Sequence, residues 1–173
     1  MTREFIDLSK YSEEEAKVLI AKDVLKQIAT KRIIASTGRY ISIDNLDEDN
    51  NYEQLHEVLE STTVCEVCAL GSLIYSRAMV ANKISSDVID GDDLDWDSLS
   101  ILEQHFTAKE LTELEYLFEL GDWGKYAKEI SIERKQEISG VREKLRLLSE
   151  EDRLIKLMQN IIDNNGNFVP ETL

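Results

Sequence analysis

Cys65 and Cys68 form the one compact pair in this sequence with obvious reactive potential. A Cys-x-x-Cys pair at a helix N-terminus can carry a thiol of lowered pKa and support disulfide exchange. With His105 as base and a carboxylate as orienter, Cys65 or Cys68 would instead be the nucleophile of a cysteine hydrolase. A zinc site needs two further ligands, and the two histidines, His56 and His105, belong to no paired ligand motif. A thioredoxin-like site also expects a strand directly before the pair and α/β alternation throughout, whereas this chain reads as mostly helical. The reading favoured here is structural: two small apolar side chains packed on a helix, with no metal and no cofactor.

The second concentration of chemistry is acidic. Residues 84–122 hold twelve Asp and Glu against the single base Lys109, a net of −11 out of −15 for the 173-residue chain. Asp87, Asp90, Asp92, Asp93, Asp95 and Asp97 offer oxygens to a hard cation. An EF-hand register begun at Asp93, however, puts Ser98 where glycine is needed and Gln104 where the bidentate Glu belongs. The bland reading is a solvated acidic loop. The sharper one is that carboxylates held on a rigid surface enter an Arg/Lys groove built for phosphates. Leu94, Trp96 and Leu99 lie among these acids, as interface anchors or as core residues. The expected partner-binding set is Asp92, Asp93, Asp95, Trp96 and Asp97. The expected partner is a basic, nucleic-acid-binding protein, and direct nucleic-acid binding is disfavoured because no basic patch stands out.

Positioning these residues falls to a mainly α, bundle-like single domain of five to seven helices over residues 1–173, with a small β-hairpin at residues 33–43. A 42% hydrophobic content is enough for one core. Ser12-Glu13-Glu14-Glu15, Thr63-Val64-Cys65-Glu66 and Thr107-Ala108-Lys109-Glu110 read as capping boxes, and Ser149 caps a further helix. The second box predicts a central helix over residues 65–84, in which Gly71 requires close approach by another element. That stretch is too interrupted by polar residues to span a bilayer. Residues 44–51 read as a loop, 126–148 as a helix broken near Ser139-Gly140, Gly121 as a helix terminator and 164–173 as a short tail. Two cysteines and the absence of a basic-then-apolar leader point to a reduced, cytoplasmic protein.

Cys65-Glu66-Val67-Cys68-Ala69-Leu70-Gly71-Ser72-Leu73, with Asp23-Val24-Leu25 before it and Asn165-Gly166-Asn167-Phe168-Val169-Pro170 after it, resembles small uncharacterised phage and bacterial proteins with a Cys-Ala-x-Gly-Ala-Leu-type helix. Ser72 departs from that pattern, where Ala is expected. The resemblance implies no activity; it raises the expectation of a phage or mobile-element origin.

Overall fold

In the computed structural model the described residues are 4–44, 51–81, 83–90 and 93–173. They form, in chain order, α1 (Glu13–Ala29), β1 (Ile33–Ala35), β2 (Ile41–Ile43), α2 (Leu55–Ser61), β3 (Cys65–Val67), α3 (Ala69–Ala81), β4 (Ile89–Asp90), β5 (Asp93–Leu94), α4 (Ala108–Glu119), α5 (Ile132–Glu137), α6 (Ser139–Arg146) and α7 (Glu150–Asp163). Short 3-10 turns join several of them, and a nine-residue 3-10 run, Trp96–Gln104, precedes α4. The fold is mainly α with a small β element.

Local chemistry starts three of the helices. The Ser12 hydroxyl accepts from the Glu15 amide at 3.2 Å while the Glu15 carboxylate accepts from the Ser12 amide at 2.9 Å, closing the box that opens α1. Thr107 and Glu110 do the same for α4. Ser149 caps α7 through the Asp152 amide. Each satisfies amides that the helix leaves without an internal partner.

The third expected box does not form. Cys65–Val67 is a strand, buried at both ends, and the central helix begins only at Ala69. The reason lies outside the segment. β1 and β2 do not pair as the expected hairpin; β3 lies between them, parallel to β1 and antiparallel to β2. The sheet order is β1-β3-β2-β5-β4. Two three-residue strands expose unpaired edges to each other's core, and inserting a third satisfies both at once.

α3 is buried all round except at Val80, as befits a largely apolar helix at the centre of a core. α1 packs against both α3 and α7, and the buried apolar residues form one contiguous cluster. Among the described residues no helix is long and apolar enough to cross a membrane.

Three smaller expectations change. The stretch 126–148 opens with a 3-10 turn at Ala127–Glu129 in place of helix, after which Ser131 caps α5 by accepting from the Arg134 amide at 3.1 Å; the expected break near Ser139-Gly140 falls at Ile138, between α5 and α6. α4 ends at Leu120 in the left-handed conformation (φ 60°), one residue before Gly121; its carbonyl is held by two Arg142 nitrogens at 2.9 and 2.7 Å. The tail is docked: Phe168 is buried, and the Asn160 amide group donates to the Val169 carbonyl at 2.9 Å while its oxygen accepts from the Val169 amide at 2.8 Å. Of the expected acidic loop at 44–51, positions 45–50 lie outside the described residues.

Candidate functional site

Both cysteines are free and fully buried. The Cys65 sulfur sits 3.2 Å from the Thr62 hydroxyl, and the Cys68 sulfur accepts from the Gly71 amide at 3.5 Å. Burial pushes both thiols above their ordinary pKa, Cys68 strongly, with Glu119 and Glu115 adding to it. That is opposite to what a nucleophilic thiolate requires. Cys68 precedes the first residue of α3. His105 interacts with Arg77, nine residues further on, about 13 Å of helix rise away. The structure therefore does not assemble the Cys–His set. Among the described residues no group of three His, Cys, Asp or Glu side chains is placed to hold a metal ion.

The acidic segment divides between core and surface. Four of its glutamates, all on α4, turn inward. Glu110 pairs with the buried Lys17 of α1 at 2.8 Å and accepts from the Phe168 amide at 3.3 Å. Glu113 binds Arg134 at 2.6 Å. Glu115, with no exposed surface, accepts from the Tyr40 hydroxyl and from the Tyr126 and Ala127 amides at 2.6, 2.7 and 2.6 Å. Glu119 accepts from the Gly38 amide at 2.8 Å. The net charge of 84–122 is thus a poorer guide to the surface than it looked, since these carboxylates act as internal acceptors for partners distant in sequence.

Among the described residues two exposed carboxylates, Asp95 and Asp97, flank Trp96. Asp95 caps the 3-10 run that Trp96 begins, accepting from the Asp97 amide at 3.2 Å. Leu94 and Leu99 are buried and belong to the core, so the two together hold the intervening residues at the surface. Trp96 is 46% exposed, and the Asp97 side chain is 97% exposed. Asp93 supplies backbone pairing to Ser42 and Asp90; its side chain and all of Asp92 lie outside the described residues.

Trp96 rests on two aromatic rings. Tyr40 meets it edge-on at 5.4 Å and Trp123 at 5.7 Å, and Tyr40 and Trp123 lie 5.2 Å apart, distances at which such pairs attract. Tyr40 is anchored beneath by Glu115 and accepts from the Lys125 amide at 2.6 Å. The Lys125 ammonium reaches the Trp96 carbonyl at 3.4 Å and Asp97 at 3.8 Å. Tyr40, Trp123 and Lys125 escaped the sequence reading, because nothing in their spacing relates them to Trp96. The result is a large, half-exposed aromatic side chain on a rigid support, flanked by two carboxylates.

Glu119 lies behind this support and carries a pH dependence. One of its oxygens is buried without a hydrogen-bond partner, and burial, with Glu115 and Glu150 nearby, raises its pKa to about 7. A carboxyl whose folded-state pKa is raised stabilises the fold fully below the unfolded value near 4.5 and loses that contribution as pH rises to about 7. The predicted loss over this window, discounted for partial exposure, is about 1–3 kcal/mol. Urea unfolding of wild type and Glu119→Gln at pH 5 and pH 8 checks it: the variant should show a flatter profile and gain relative to wild type at pH 8.

Comparison of the chain with protein-family models, with curated proteins and with solved structures finds no match.

Proposed function

We propose that this protein is a non-enzymatic interaction module that engages a basic, nucleic-acid-binding protein in the cytoplasm through the Trp96 surface, with Asp95 and Asp97 occupying positions that phosphates would take. The observation that carries this reading is the exposure of Trp96 on the Tyr40–Trp123 support, between two solvent-facing carboxylates. A half-exposed tryptophan on a rigid base has the character of an interface anchor, while surrounding charge steers the encounter. Asp87, Glu103 and Asp122 extend the exposed acid within the same segment. Occupying a groove meant for phosphate would make the protein an inhibitor of its partner, a role that suits the phage origin expected from the Cys65–Leu73 resemblance.

The test is affinity capture from cell lysate with wild type, Trp96→Ala and Asp95→Asn/Asp97→Asn, the fraction retained being followed as salt rises. Wild type should retain a basic protein. The Ala variant should lose about 30-fold in affinity, as for a hot-spot side chain worth about 2 kcal/mol. The double Asn variant should bind more weakly and with a shallower salt dependence. Equal recovery by all three variants overturns the reading.

A further inference from the structure

α1 carries more apolar surface than the core takes up. Ile20, Val24 and Ile28 are buried on its inner side, whereas Val18, Leu19 and Leu25 are only partly covered. Val18 and Leu19 line an open groove of about 340 Å³ together with Tyr11, Glu14, Glu15 and Asn165, and Tyr11 is 43% exposed. A contiguous apolar strip of this kind is where proteins associate.

The order of residue types along the strip says what covers it. Counting from Val18, Tyr11 and Leu25 lie seven residues to either side, and Glu14 and Lys22 four residues to either side. Offsets of four and seven return to the same face of a helix, and Tyr11 joins that face through the groove it shares with Val18. Reversing the chain direction about Val18 therefore lays apolar on apolar and acid on base. Glu14 and Lys22 are exposed, and among the described residues neither forms an ion pair within the chain, so both charges are free to meet a partner. No residue of the acidic stretch 84–122 lines the groove, which keeps the bulk of the −15 net charge off this face.

We propose that α1 is the interface of a twofold-symmetric homodimer, in which two copies of the helix cross antiparallel at Val18. Val18 meets Val18 of the second copy, Tyr11 packs on Leu25 of the second copy, and Glu14 pairs with Lys22 of the second copy. Twofold symmetry makes each of the last two contacts twice, because the same patch serves both copies. Contacts reaching seven residues from the crossing cover about 10 Å of helix on either side. That is a small interface of roughly micromolar strength, in which the apolar strip supplies adhesion and the charges fix register.

Sedimentation equilibrium of the full chain tests the proposal. Wild type should move from monomer toward dimer mass between about 1 and 300 µM, the range a small interface commands. Glu14→Lys and Lys22→Glu each set like charges against one another twice per dimer, and each should weaken association about tenfold or more. Both changes in one chain put opposite charges back across the crossing and should return association close to wild type. Within one chain the two positions are eight residues apart, about 12 Å of helix rise, so this rescue reports a contact between copies. A variant that fails to fold, visible by far-UV circular dichroism, cannot produce it. A chain still monomeric at about 300 µM, which would leave the groove to a different partner, single variants that associate like wild type, or a double variant as weak as either single would each overturn the proposal.

Discussion

Gly71→Ala is expected to abolish cooperative folding near 37 °C, or to cost about 3 kcal/mol or more if a folded state survives. A Cβ built at Gly71 falls 1.5 Å from the Tyr40 carbonyl oxygen, 2.3 Å from its carbonyl carbon and 3.1 Å from its Cα. These are backbone atoms, so no rotamer change relieves the overlap. They are also held in place: the Cys68 amide donates to the Tyr40 carbonyl at 3.2 Å and to the Arg39 carbonyl at 3.1 Å, and β2 begins at the next residue. The helix would have to lift off the sheet, which also disturbs the Tyr40 ring that supports Trp96. The roughly 1 kcal/mol of helix propensity gained with alanine does not offset this. Gly140 in α6 is the internal control, since a Cβ there meets nothing within 4 Å. Gly140→Ala should leave the fold intact and stabilise it by about 0.5–1 kcal/mol. Thermal melts followed by circular dichroism compare the two; similar melting of both variants would show that α3 does not rest on Tyr40.

Glu115→Ala should destabilise the protein by about 3–5 kcal/mol. The carboxylate is the common acceptor for the Tyr40 hydroxyl and the amides of Tyr126 and Ala127, and each buried donor left unpaired costs roughly 1–3 kcal/mol. The loop around it is built to fit: a Cβ on Gly124, which has φ +117°, would come within 2.2 Å of the Glu115 carboxyl carbon. Burial raises the Glu115 pKa, and the three donors oppose that shift. Glu115→Gln keeps one acceptor oxygen and should lose less than the alanine variant, by a margin that chemical denaturation resolves. A loss below about 1 kcal/mol for Glu115→Ala would mean the three donors are satisfied elsewhere.

The parts of this fold that the sequence made legible are those written in a few adjacent residues. Ser12, Thr107 and Ser149 cap their helices through partners three residues away, and Gly71 announced a close contact because a glycine inside an apolar helix has a cost that packing must answer. The misreadings share one cause. Thr63-Val64-Cys65-Glu66 has the letters of a capping box, yet Cys65–Val67 becomes a strand because β1 and β2 need a partner between them, a demand made by residues paired from as far as Ile33 to Cys65. The glutamates of α4 looked like surface charge because their partners, Lys17, Tyr40 and Arg134, stand 93, 75 and 21 residues away. Trp96 stands out in the sequence as an aromatic among acids, whereas its support by Tyr40 and Trp123 is purely tertiary.

The most direct test of the proposed binding role is displacement by nucleic acid. The protein is immobilised, loaded with the basic partner captured from lysate, and washed with excess duplex DNA at constant ionic strength while the released fraction is measured. Mimicry through Asp95, Trp96 and Asp97 predicts that duplex DNA releases the partner in a concentration-dependent way, and that immobilised Trp96→Ala retains little to release. A partner that stays bound under saturating DNA, or that Trp96→Ala holds as firmly as wild type, would contradict it.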